Sequence, residues 1–74
     1  MITSSSRCID ITINGEPWQL PAPLTVAVLL EAHGLAGKRV AVERNGEIVP
    51  KSRHAETPLA AGDRIEIVVA VGGG

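Results

Sequence analysis

The groups with the widest chemical scope stand at the end of the sequence. Gly72, Gly73 and Gly74 follow directly on a strand-like run, residues 64–71. Glycine has no Cβ, so such a run is thin and can thread a narrow channel as an extended ribbon. Fully stretched, it reaches roughly 10 Å beyond the last folded residue. At its tip is the α-carboxylate of Gly74, which a second protein can modify without disturbing a core. A carboxylate is a poor electrophile, so acyl chemistry there requires activation by phosphate-binding machinery. No glycine-rich loop lies between a strand and a helix in this chain, so that machinery has to come from a partner.

Little else competes with the glycine run. Cys8 is the only cysteine, which excludes an internal disulfide and any multi-cysteine metal site. It reads as an ordinary structural or surface residue. His33 reads as a helix-end residue near the C-terminal dipole. His54 is a candidate for a partner surface and not half of a catalytic pair. Asp63 reads as a turn former. Arg39, Arg44, Lys51, Arg53 and Arg64 form no motif and read as solvated charges, a few of them steering docking. Glu43, Glu47 and Glu66 lack metal-ligand spacing. With no nucleophile–base pair and no metal cluster, the chain is expected not to be an enzyme and to bind no cofactor of its own.

Size points the same way. A chain of 74 residues makes one domain. A domain that small buries only about 60% of the surface its unfolded chain exposes. It holds one modest core and has little room to enclose both a cofactor and a substrate. The net charge is -1, so no strong field invites nucleic acid or an anionic membrane. The only aromatic residue is Trp18, a core or rim filler or an interface anchor, so there is no platform for stacking bases. No apolar run is long enough to span a bilayer, and the first seven residues lack the apolar stretch of a secretory signal. A cytoplasmic protein, monomeric when free, is expected.

The elements that must position the tail are legible in order. Residues 1–7 read as a flexible leader, 8–71 as one domain and 72–74 as a flexible tail. Ile9, Ile11 and Ile13 alternate with polar residues over 8–14, a half-buried strand. Asn14-Gly15 then marks a hairpin turn. The partner strand spans 16–20, ends at Pro21-Ala-Pro23, and lies at an edge because Pro17 has no N–H for a ladder. Thr25 caps a helix over 26–33, with Val26, Leu29, Leu30 and His33 on one side, Val28 off the core face, and Gly34 at its C-terminal stop. A third strand over 39–44 turns at Asn45-Gly46 into a short fourth, 47–49. Residues 51–59 read as loop with a helical turn. The last strand places Ile65, Ile67, Val69 and Val71 on one face and Arg64, Glu66, Val68 and Ala70 on the other. Its apolar outer half suits a central strand, or one whose outer face meets a partner. Val68, Ala70 and Val71 are therefore candidate docking residues beside His54. The order implies an α+β roll, a four- to five-stranded mixed sheet with one main helix on one face. The first and last strands are expected to pair in parallel at its centre and to anchor the tail's base on both sides.

In its hairpin, helix, hairpin, last strand and terminal glycines, the chain resembles the ubiquitin-like β-grasp sulfur carriers. Within them it is similar to the ThiS branch, which serves thiamine thiazole synthesis. The residues that carry the likeness are Thr25-Val26 with Leu29-Leu30-Glu31, residues 40–50 through Asn45-Gly46 and Val49-Pro50, residues 56–59, Gly62-Asp63, and the Val69–Gly74 end. The likeness covers everything after the leader. Val28 departs from it where the family often has an acidic residue, and His54 where an aromatic is common. The resemblance implies that Gly74 is adenylated by a ThiF-like, E1-like enzyme, which uses ATP and Mg²⁺. A persulfide sulfur donor then converts Gly74 to a thiocarboxylate. That group supplies sulfur to a ThiG-like thiazole synthase, while Gly72 and Gly73 thread the channels. The alternatives are a carrier like the molybdopterin synthase small subunit, a ubiquitin-like modifier of lysines, or an inert β-grasp interaction module.

Overall fold

The computed structural model describes residues 7–70. The leader residues 1–6 lie outside that span, as do Val71 and the glycines 72–74. The elements run β1 (Arg7–Ile13), β2 (Glu16–Ala22), α1 (Val26–Ala32), β3 (Val40–Arg44), β4 (Glu47–Val49), a 3-10 helix (Lys51–Glu56) and β5 (Arg64–Val69). One five-stranded sheet has the order β2-β1-β5-β3-β4. β1 and β5 are parallel and the other pairs antiparallel. The expected mixed sheet with a single main helix on one face is therefore present. β1 already includes Arg7, the last residue assigned to the leader.

Each element has a local cause. Asn14 and Asn45 take positive φ, 52° and 53°, followed by Gly15 at 84° and Gly46 at 88°. Two successive left-handed residues form the turn that matches the twist of a hairpin, which is why Asn-Gly closes both. The Thr25 hydroxyl accepts the Val28 N–H at 3.3 Å and starts α1. Gly34 at φ 72° ends it. A seven-residue helix is too short to stand alone, so its packing holds it. Val26, Leu29 and Leu30 are buried against Ile11, Ile13, Val42, Ile65 and Ile67 of the sheet. The loop after the 3-10 helix ties down the start of α1. Val26 N–H donates to the Thr57 carbonyl, and Leu59 N–H to that of Leu24. Val28 is exposed, as its position on the helix implied.

β2 runs two residues past its expected end, through Pro21 to Ala22. The register explains why proline does not stop it. Ile13 and Glu16 close the hairpin and exchange hydrogen bonds, so Trp18, Leu20 and Ala22 also bond to β1. Pro17 and Pro21 sit at the alternate positions, opposite Thr12 and Cys8, where the nitrogen points away from the sheet. A missing hydrogen there costs the ladder nothing. Among the described residues, no helix is long and apolar enough to cross a membrane.

Candidate functional site

β5 leads to the glycine run, so the site begins with what holds β5. Its bonding alternates. Arg64 carbonyl accepts from Asn45 N–H and Ala70 N–H donates to Arg39, so the even residues face β3. The odd residues face β1. There Thr12 N–H donates to the Asp63 carbonyl at 3.1 Å and Asn14 N–H to that of Ile65 at 2.9 Å. The parallel ladder ends at Ile13 opposite Ile65, because β1 turns into its hairpin at that level. The Asn14 side chain then takes the place of the missing strand. Its carboxamide accepts the Ile67 N–H at 2.8 Å and donates to the Ile67 carbonyl at 3.2 Å.

The start of β5 is fixed by a second turn asparagine and a buried acid. Asn45 accepts the Arg64 N–H at 2.9 Å and donates to Asp63 at 3.1 Å. Asp63 is buried, and its carboxylate accepts from Arg44 Nε at 2.7 Å and from the Ala60 N–H at 2.8 Å. Burial alone pushes this carboxyl upward. The hydrogen bonds from Arg44, the Ala60 N–H and Asn45, with the Arg44 charge, outweigh it and hold the pKa below its ordinary value. Asp63 thus does more than form a turn, and Arg44 is a structural ion-pair partner rather than a solvated charge. Neither role carries a sequence signal, because the partners lie 18 and 19 residues from Asp63.

Beyond Ile67 the support thins. Among the described residues, Val68 and Val69 pair only with Ala41 and Val40 of β3. The expectation that β1 flanks the tail's base is therefore corrected: β1 stops two positions short of it, and Asn14 covers one of them. Val69, expected inside, is 43% exposed, and Val68 is 65% exposed on the outer face. A groove of about 330 Å³ opens beside this end, lined in part by Leu30, Leu35, Val40, Val68 and Ala70.

His54, a candidate for a partner surface, is buried, with Nε2 3.1 Å from the Val49 carbonyl. The 3-10 helix turns the side chain inward, so it meets the groove as part of its wall. His33 ends α1, with Nδ1 3.1 Å from the Leu29 carbonyl and its ring edge-on to Trp18 at 4.7 Å. Trp18 is half-exposed at the rim. Cys8 is exposed on β1. Among the described residues, no group of three His, Cys, Asp or Glu side chains is placed to hold a metal ion. Val71, Gly72, Gly73 and Gly74, named above as docking, threading and modified residues, lie outside the described span.

Residues 11–74 match the model of the ThiS family. The chain is 48% identical over 66 residues to a thiazole synthase of Paramagnetospirillum magneticum, across 89% of this chain and 20% of that one. It thus spans about a fifth of the length of that relative. To the sulfur carrier protein ThiS of Bacillus subtilis it is 50% identical over 50 residues, 68% of this chain and 76% of that one. The crystal structure of the thiamine biosynthesis protein ThiS from Geobacter metallireducens superposes with a TM-score of 0.75 at 33% identity, covering 89% of this chain and 100% of that one.

Proposed function

The chain belongs to the ThiS family, and from that premise we propose that it carries sulfur on Gly74 for formation of the thiamine thiazole ring. The observation that supports this most is the extent of the family match, which runs through residue 74 and so includes the glycine run. The fold agrees with it, because β5 is held on both edges as far as Ile67 and runs on from there towards the glycine run.

The chemistry requires a free carboxylate at Gly74. Its oxygen attacks the α-phosphorus of ATP held by an E1-like partner, and pyrophosphate leaves. The acyl-adenylate is a good electrophile. A persulfide sulfur from a partner cysteine displaces AMP, and reduction of the sulfur–sulfur bond by a thiol leaves the thiocarboxylate. The thiazole synthase then takes the sulfur. The residues of this chain supply no acid, base or metal to these steps; they present the terminus and dock.

The test is intact mass measurement after incubation with ATP, Mg²⁺, the cognate adenylating enzyme, a persulfide donor and a thiol reductant. The expected result is replacement of one terminal oxygen by sulfur. An unchanged mass with an enzyme active on its own carrier rejects the reading, and a chain joined to a lysine marks a protein modifier instead. Gly73→Ala is expected to keep the fold and lower ATP–pyrophosphate exchange at least about tenfold, because a Cβ clashes in a close-fitting channel. Wild-type exchange by that variant removes the steric argument.

A further inference from the structure

The groove at the end of β5 has its origin in strand register. β4 is only three residues long and covers β3 no further than Val42, opposite Val49. Pro50 and the 3-10 helix then carry the chain away. The bonded pairs of this hairpin fall at Arg44 with Glu47 and Val42 with Val49, so the next bonding position on that side is Val40. Its N–H and C=O face the groove, and among the described residues no strand lies beside them. Leu30, Leu35 and Val40 supply apolar lining, and exposed Lys38, Arg39 and Lys51 line it as well. No acidic residue does. Among the described residues the only ion pair joins Arg44 to Asp63, so these three cations make none, although Glu31 lines an adjoining hollow with Lys51. In a chain of net charge -1, that is a local concentration of positive charge.

We propose that this groove receives an extended segment of the adenylating partner, one that carries an acidic side chain beside an apolar one. The inference rests on the carrier reading above. The main chain of the segment pairs with Val40, as a strand added to a sheet edge does. Its carboxylate meets Lys38, Arg39 and Lys51, and its apolar side chain covers Leu30 and Leu35. Location supports the choice of partner. Ala70 lines the same groove, so a protein that grips the tail already lies over it. Charge complementarity of this kind sets orientation and association rate, which suits a tail that has to enter an active site in one direction.

The test compares the double variant Lys51→Glu/Arg39→Glu with Arg53→Glu, an exposed cation outside the groove. Affinity for the adenylating enzyme is measured by calorimetry at low and high salt. The double variant is expected to bind at least about tenfold more weakly at low salt, with the gap narrowing as salt screens the charges. Arg53→Glu stays within about twofold of wild type. Hydrogen exchange at the Val40 N–H slows when the wild-type complex forms. At saturating enzyme the double variant still gains sulfur. Binding by the double variant within twofold of wild type overturns the proposal, as does an equal loss from Arg53→Glu or a Val40 N–H that exchanges equally fast in the complex. If wild type gains sulfur while the double variant binds normally, the groove assignment alone falls. If wild type neither binds nor gains sulfur, the carrier reading falls and the groove assignment with it.

Discussion

Residues 64–67 and 68–70 are consecutive, yet they are held in opposite ways. The first stretch is bonded on both edges: to β3 on one side, and to β1 and the Asn14 carboxamide on the other. The Asp63 cluster fixes its start. Among the described residues, the second stretch has a strand on one edge only, and both of its valines are exposed. Anchorage and presentation are thus separate tasks of adjoining residues. A change in the anchored half should act on stability, and one in the open half on binding.

The largest effect is expected at Asp63. Asp63→Asn removes the buried charge that Arg44 and the Ala60 N–H bind, and should cost about 2 kcal/mol. For a domain of this size that lowers Tm by roughly 10 °C. The loss should depend on pH. The folded carboxyl titrates below its unfolded value, so its contribution is complete above the unfolded pKa of about 4 and disappears as pH falls through the folded one. Thermal melts of wild type should therefore lose stability in that acid window, while Asp63→Asn melts stay flatter. Parallel curves would show that the cluster does not anchor the strand.

A smaller and more local effect is expected at Asn14. Asn14→Gly keeps the positive φ of the turn and deletes both bonds to Ile67, at a cost of about 1 kcal/mol. Exchange at the Ile67 N–H should accelerate while that at Arg64 does not. Already equal rates at Ile67 and Val69 in wild type would erase the contrast between the halves. The smallest effect on stability is expected at Val68. Val68→Glu should change it by less than about 0.5 kcal/mol, yet weaken binding to the adenylating partner. Unchanged affinity by calorimetry removes the outer face from the account.

What the sequence made legible was the short-range part. The alternation of Ile9, Ile11 and Ile13 and the two Asn-Gly turns placed both hairpins. The spacing of Val26, Leu29 and Leu30 placed α1, and those residues are buried as read. What stayed hidden was contact across the chain. Asn14 and Ile67 are 53 residues apart, and no local pattern says that a turn asparagine also substitutes for a strand. Asp63 and Asn45 each satisfied a turn rule, so nothing called for a second role. His54 lies in a 3-10 helix of six residues, too short for a periodicity that reveals its inward side. The parallel pairing of β1 and β5 was expected, but its length was not, because the depth of the overlap depends on where the hairpin turns.

The two prolines of β2 also shape what the molecule avoids. Along the free margin of that strand the outward-facing nitrogens belong to Pro17, Gln19 and Pro21, and only Gln19 carries a hydrogen. A second copy approaching there would find almost no donors to zip onto, so stacking of sheets margin to margin into fibres is blocked on that flank.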